Sequence, residues 1–290
     1  AGAVDSRPPA VGASVPRVDV RTPAPFPVKK ESAVEPVIQA KSALLVDVPS
    51  GTTLYSKDPD TRLPIASITK LMTAVLVVED TKPDDVVTVP EVNHGAEESL
   101  MGVKQNDQLR VEDLLAGSLI VSGNDATAVL AKHVGGSEKE FVSRMNRRAE
   151  ELGMADTHFD NPTGYGTGEN VSSPRDLAIL SQAAMAQPRI RELVNQKEKT
   201  VAALNVPAPS PENPAPTAPN TYALKTTDQL LGSYLPIIGG KTGTSDSAGP
   251  SLVTELASGN RHLLAIVLNS PNRFQENKSM LDWALNSYQW

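Results

Sequence analysis

The 290-residue chain contains no cysteine. That absence excludes thiol nucleophiles, structural disulfides and thiolate metal sites, although it does not choose a compartment. Histidine is sparse as well. His94, His133, His158 and His262 are scattered with no H-x-x-x-H or H-E-x-x-H spacing, so no metal site is expected. Aromatic residues make up 4% of the chain and the net charge is −7, with no basic cluster interleaved with aromatics; the electrostatic footprint of a nucleic-acid binder is missing. No run approaches the ~18 apolar residues of a membrane helix. The chain also opens without a charged-then-apolar signal segment, so either it stays inside the cell or a targeting segment was removed.

What the chain has in quantity is proline, and its placement divides the sequence. Residues 1–36 hold seven prolines and residues 206–219 hold six, together 13 of the 24 in the chain. The first stretch reads as a polyproline-II-like tether and a hint of export, the second as a surface loop inserted between elements; both are expected to be mobile. Residues 37–290 are expected to form one catalytic domain, and 39% hydrophobic content is enough for a sizeable core.

Within that domain, residues 42–48 and 52–56 read as strand, turn, strand around Pro49-Ser50-Gly51. Residues 86–89 read as a short strand. Helical apolar spacing covers 111–120, runs into Ser122-Gly123-Asn124, and resumes over 125–133 and 138–152. Ser173-Pro174-Arg175-Asp176 carries the N-cap, first-turn proline and acidic residue of a helix start, for a helix ending near Met185. Residues 251–256 and 262–268 suggest two antiparallel strands, the second apolar enough to be buried on both faces, before a last helix over 275–290 that packs on the sheet.

Three short motifs carry chemistry. Ser67-Ile68-Thr69-Lys70 stands at the head of an apolar helix, where residues three apart share a face and Lys70 can reach Ser67. Alone this is weak, because one S-x-x-K arises by chance in roughly every 300 residues. Ser122-Gly123-Asn124 sits at a helix–helix junction, where side chains can point into a cleft. Lys241-Thr242-Gly243 is rarer, expected about 0.1 times by chance in a chain this long. S-x-x-K, then S-x-N, then K-T-G is the ordered set of the class A β-lactamases and penicillin-binding proteins.

On these motifs the chain resembles the D-alanyl-D-alanine carboxypeptidases among the low-molecular-mass penicillin-binding proteins, serine peptidases of the SxxK superfamily. The likeness extends to Ile65 through Ala74, Phe141 through Asn146, Leu152-Gly153-Met154, Phe159 through Gly164, Ser247-Ala248-Gly249 and Arg273-Phe274. It implies a mixed α/β (α+β) fold of the β-lactamase/DD-peptidase type, an antiparallel sheet flanked by helices plus an all-helical subdomain that carries Ser122 and Asn124. It also implies roles. Ser67 attacks the carbonyl of the penultimate D-alanine, and Lys70, if neutral, takes its proton, helped by a second cation, Lys241. Ser122 relays the proton to the leaving D-alanine, while Asn124 holds either the substrate amide or the Lys70 amine. Backbone N–H groups of Ser67 and Thr244 match the oxyanion hole. Gly243 permits close approach at the strand edge, and Thr242 and Arg273 bind the terminal carboxylate.

The implied substrates are peptidoglycan stem peptides, with β-lactam antibiotics as acylating inhibitors and no cofactor. The implied place is extracytoplasmic, in the bacterial cell envelope, secreted or tethered at its N-terminus. Many relatives append a β-rich domain and a C-terminal amphipathic helix, so membrane contact is expected only through a removed N-terminal segment. A DD-endopeptidase uses the same catalytic groups and is the alternative; an inactive penicillin-binding scaffold is disfavoured because every catalytic position is filled. A β-lactamase needs a glutamate beside the nucleophile, and Glu192-Leu193-Val194-Asn195 lies too far along the chain, with Leu and Asn wrongly spaced, to be that loop.

Overall fold

The computed structural model describes residues 26–91, 99–166, 170–209 and 215–290. In chain order the elements are β1 (Val28–Lys29), β2 (Ser42–Asp47), β3 (Thr52–Lys57), β4 (Leu63–Pro64), a 3₁₀ turn (Ala66–Thr69), α1 (Lys70–Asp80), β5 (Val86–Thr88), β6 (Gln108–Arg110), α2 (Val111–Leu119), α3 (Asn124–Gly135) and α4 (Glu138–Leu152). There follow β7 (Val171–Ser172), α5 (Pro174–Met185), α6 (Pro188–Val194), β8 (Glu198–Ala202), β9 (Thr221–Lys225), β10 (Ile237–Gly243), β11 (Ser251–Ser258), β12 (Arg261–Leu268), α7 (Arg273–Ser287) and β13 (Tyr288–Gln289).

A five-stranded antiparallel sheet of order β10-β11-β12-β2-β3 organises the molecule. Its central strands β2, β11 and β12 are mostly buried and largely apolar because both faces are covered. Along β12 the two-residue period sends Leu264, Ile266 and Leu268 to the core shared with α1 to α6, and Leu263, Ala265 and Val267 to a second core under α7. Met280, Leu281 and Ala284 of α7 are fully buried there. Burial of each of the two larger side chains contributes roughly 1.5–3 kcal/mol. The packing matters for the site because it fixes the start of α7, where Arg273 sits.

Helix ends follow local chemistry. Ser173 caps α5 by accepting from the Asp176 N–H, with Pro174 at the first helical position, and Ser137 caps α4 by accepting from Glu140. α4 closes at Gly153 in the left-handed conformation, φ 78°.

Three expectations are corrected, and one hairpin is added. Ser67 does not lie in the α-helix: it belongs to the 3₁₀ turn, and α1 begins at Lys70. The final helix stops at Ser287, and the chain continues as β13, paired with β1 at Val28↔Gln289 and Lys29↔Tyr288. Lys30 N–H adds a 2.8 Å bond to the Ser287 carbonyl, so part of the stretch expected to be tether, Val28 to Lys30, pairs with the end of the domain; residues 1–25 lie outside the described residues. The proline-rich insertion is the loop of a hairpin that the sequence reading did not contain, β8 with β9, and its residues 210–214 lie outside the described residues. Leu204 N–H donates to the Gln108 carbonyl at 2.7 Å, and the Asn205 side chain accepts from Gln108 N–H at 2.7 Å, which ties the start of that loop to β6.

Leu281→Ala should lower stability by about 2–5 kcal/mol through the lost burial and the cavity left behind. The midpoint of urea unfolding checks it.

Candidate active site

The nucleophile turn is held in an uncommon backbone conformation. Ala66 has φ 46°, left-handed for a non-glycine residue, and the turn that follows is 3₁₀, in which side chains at i and i+3 eclipse. Ser67 Oγ and Lys70 Nζ are therefore brought to 2.8 Å. Lys70 is completely buried, and its Nζ also lies 2.7 Å from Asn124 Oδ1 and 2.7 Å from the Thr163 carbonyl oxygen. Of the two roles open to Asn124, the geometry places its oxygen on the Lys70 amine.

The Thr163 carbonyl is the partner that the sequence reading did not identify. It stands on a loop folded by its own amides. Asn161 Oδ1 accepts from Thr163 N–H at 3.1 Å and Gly164 N–H at 2.7 Å. Asn170 Oδ1 accepts from Asp160 N–H at 2.7 Å while its Nδ2 donates to Thr69 Oγ1 at 2.9 Å. Thr73 Oγ1 donates to the Pro162 carbonyl at 2.7 Å, so α1 grips the loop directly. Gly164 has φ +77°, and a Cβ there would lie 1.9 Å from the Ala66 carbonyl oxygen. Only glycine lets the loop close on the Ser67 turn.

Ser122 and Asn124 come from the junction of α2 and α3. Ser122 is buried with φ 62°, and Asn124 opens α3, its N–H donating to the Ser99 carbonyl at 2.8 Å. The adjoining Asp125 carboxylate accepts from the N–H groups of Met101 at 2.8 Å, Gly102 at 2.6 Å and Val103 at 3.0 Å, fixing the neighbouring loop.

The edge strand β10 brings the third motif. Lys241 is 2% exposed and donates to Ser122 Oγ at 2.9 Å and to the Thr242 carbonyl at 3.0 Å. Burial, reinforced by the Arg273 charge, pushes its pKa down to about 7, while the Asp228 carboxylate pulls it the other way. The close approach expected at Gly243 is made by the nucleophile turn itself: a Cβ there would meet the Ile65 carbonyl oxygen at 2.5 Å. Thr242 Oγ1 pairs with Thr227 Oγ1 at 2.6 Å, a contact with no signal in the sequence. Arg273, the first residue of α7, donates through Nη1 to the Gly243 carbonyl at 2.8 Å and to Thr244 Oγ1. Its guanidinium lines an open pocket with Thr244, Asn272 and Phe274, and burial lowers its pKa, partly offset by Asp228. Thus Ser67, Lys70 and Asn124 form one bonded group and Ser122 and Lys241 a second, joined through the Ser122–Asn124 segment. Thr242 turns toward Thr227, and Arg273 braces the Gly243–Thr244 end of the strand. Glu192 is exposed on α6 and takes no part in these bonds.

Two outcomes follow from this geometry. Gly164→Ala should displace the Ser67 turn and slow reaction at Ser67 on the order of 100-fold, as a misplacement near 1 Å does; acylation rates of folded variant and wild type check it. Lys241 has a pKa of about 7 in the folded chain, whereas an unfolded lysine titrates near 10.4. Between those values the unfolded chain binds a proton that the folded chain does not, so this residue's contribution to stability rises with pH. Unfolding midpoints of the wild type, referred to Lys241→Met, should increase from about pH 7 to about pH 10; parallel profiles would contradict the assignment.

Comparison with known proteins shows the family and the fold. The D-alanyl-D-alanine carboxypeptidase family, peptidase S11, matches residues 29–272. A D-alanyl-D-alanine carboxypeptidase of Bacillus subtilis is 31% identical over 259 residues, covering 87% of this chain and 63% of the relative. A D-alanyl-D-alanine endopeptidase of Escherichia coli is 33% identical over 247 residues, covering 84% of this chain and 75% of its own length. Among solved structures, the DD-transpeptidase of Streptomyces K15 superposes with a TM-score of 0.77 at 30% identity, covering 87% of this chain and 99% of that one. The chain spans 63% to 66% of the length of the first curated relatives it matches. With the family matched over residues 29–272, the chain belongs to the peptidase S11 family of D-alanyl-D-alanine carboxypeptidases.

Proposed function

We propose that the chain is a serine-type D-Ala-D-Ala carboxypeptidase that removes the terminal D-alanine from peptidoglycan stem peptides through an acyl-enzyme on Ser67. The observation that carries the reading is the 2.8 Å contact of Ser67 Oγ with a lysine amine that is itself completely buried. A serine hydroxyl needs a base within hydrogen-bond reach. Carbonyl oxygens can only accept, so Asn124 Oδ1 and the Thr163 carbonyl claim N–H groups of Lys70. In the neutral amine the lone pair then faces the Ser67 hydroxyl, which can donate.

The steps follow. Ser67 Oγ bonds to the carbonyl carbon of the penultimate D-alanine as its proton passes to Lys70. Backbone N–H groups of Ser67 and Thr244 receive the developing oxyanion. The carbon–nitrogen bond breaks as the proton that Lys70 took from Ser67 passes through the Ser122 hydroxyl to the leaving D-alanine nitrogen, which returns Lys70 to its neutral form; Ser122 Oγ accepts a hydrogen bond from Lys241 at 2.9 Å throughout. Water then cleaves the ester with Lys70 acting again as base, restoring Ser67. Thr242 and Arg273 supply the electrostatic demand for a free C-terminal carboxylate. β-Lactams present a carboxylate beside a strained amide and acylate the same oxygen. Because the substrate lies outside the cytoplasm, the chain is assigned to the cell envelope, with the proline-dense N-terminal residues as spacer. No helix among the described residues is long and apolar enough to cross a membrane.

Intact-mass measurement after penicillin treatment should show one added drug mass in the wild type and none in Ser67→Ala; labelling that survives the substitution would sink the reading. Arg273→Ala should lower D-alanine release on the order of 10–100-fold while leaving Ser67 reactive, as expected for one charge-assisted contact of about 1.5–3 kcal/mol. An unchanged release rate would move carboxylate recognition to Lys241.

A further inference from the structure

Among the described residues the Arg273 guanidinium donates to neutral oxygens: the Gly243 carbonyl at 2.8 Å, Thr244 Oγ1, and the Ser251 carbonyl at 3.5 Å. Neutral acceptors restrain a long, rotamer-rich side chain only modestly, so its place at the end of β10 depends on the backbone that carries it. That backbone is the first turn of α7. Its N-cap residue, Asn272, makes no side-chain cap bond.

The holding is done one turn further on, by the buried carboxylate of Glu276. One of its oxygens accepts from Gln39 N–H, and the other accepts from Ala40 N–H at 3.1 Å and from Ser270 Oγ. Ser270 Oγ in turn accepts from Asn272 N–H at 3.1 Å, next to Arg273. Both segments are anchored in the sheet. Gln39 and Ala40 lead into the central strand β2, and Ser270 N–H donates to the Pro250 carbonyl at 2.8 Å, at the head of β11. None of the three partners of Glu276 is a cation. A carboxylate taken out of water without one is tolerated only where several donors meet it, and here every donor belongs to the two segments that meet the start of α7.

We propose that Glu276 is a positioning residue for substrate recognition: through Ser270 and the Gln39 and Ala40 N–H groups it locks the first turn of α7, and with it the Arg273 guanidinium at the Gly243–Thr244 end of β10, where a free C-terminal carboxylate is received. This rests on the carboxypeptidase reading for the carboxylate, though not for the placement of Arg273.

Two acyl-D-alanine thioesters separate this role from plain support of the fold, one with a leaving thiol that carries a carboxylate, thiolactate, and one with a neutral leaving thiol, ethanethiol. Arg273→Ala sets the scale by slowing the first alone. Glu276→Gln keeps the shape and one acceptor oxygen. Its kcat/KM, read as thiol release, should fall on the order of 10-fold for the carboxylate-bearing thioester and stay near the wild-type value for the neutral one. Added to Arg273→Ala, it should cause no further loss, because both act through one guanidinium. Against that scale, equal effects on the two thioesters, or a full additional loss on top of Arg273→Ala, overturn the proposal. Should Glu276→Gln fail to fold, Ser270→Ala removes the link to Asn272 N–H and is read by the same ratio, and an unmoved ratio overturns the proposal as well. If Arg273→Ala leaves both thioesters at wild-type rates, the carboxylate role of Arg273 is defeated, and the placement is read by itself. In ¹⁵N-arginine-labelled protein the order parameter of the Arg273 Nε–H, identified by its loss in Arg273→Ala, should fall in Glu276→Gln; an unchanged value overturns the proposal.

Discussion

The structure depends on keeping one amine dry and oriented. Lys70 Nζ is buried between Ser67 Oγ, Asn124 Oδ1 and the Thr163 carbonyl, and each partner comes from a different part of the chain. The 3₁₀ turn supplies the first, the junction of α2 and α3 the second, and the Asn161–Gly164 loop the third. A buried lysine with its polar partners absent costs several kcal/mol, so the surrounding elements must be held where they satisfy it. That requirement explains why the site's neighbourhood is rich in side chains that bind backbone: Thr73 on Pro162, Asn170 on Asp160, Asp125 on three consecutive amides.

The second lysine obeys the same constraint by different means. Lys241 is carried on an edge strand pressed so closely on the nucleophile turn that Gly243 has no room for a side chain. Its charge is opposed by burial and by Arg273 and favoured by Asp228. Two buried lysines thus have different surroundings: Lys70 bonds Ser67 Oγ, Asn124 Oδ1 and the Thr163 carbonyl, whereas Lys241 bonds Ser122 Oγ and the Thr242 carbonyl and feels the charges of Arg273 and Asp228.

Much of this was legible from residue types. The spacing of Ser67 and Lys70 implied their contact, and the order of S-x-x-K, S-x-N and K-T-G pointed to one cleft. The unbroken apolar run of β12 implied a strand covered on both faces, which the two cores supply. What was not legible shares a physical reason. The Thr163 carbonyl acts through the backbone, which every residue has, so no residue type marks it. Thr227 matters because its hydroxyl meets Thr242, fifteen residues further on, a contact set by tertiary packing. The two-residue pairing of β1 with β13 has no periodicity to detect, and its partners are separated by nearly the whole chain. The β8–β9 hairpin buries only Val201 on one strand and Tyr222 and Leu224 on the other, too few apolar positions to stand out beside a proline-rich loop.

The claim at the centre is that the Lys70 amine is the base that takes the Ser67 proton. The absence of cysteine from the chain makes a direct test available, because Lys70→Cys introduces a single thiol that can be alkylated to an aminoethyl side chain of the same length. The sulfur makes that amine intrinsically less basic. The pH dependence of penicillin acylation should then be restored in rate relative to Lys70→Cys, with its acid limb moved to lower pH than in the wild type. Restored acylation with an acid limb that stays in place would contradict the account, since the titrating base would then be another group.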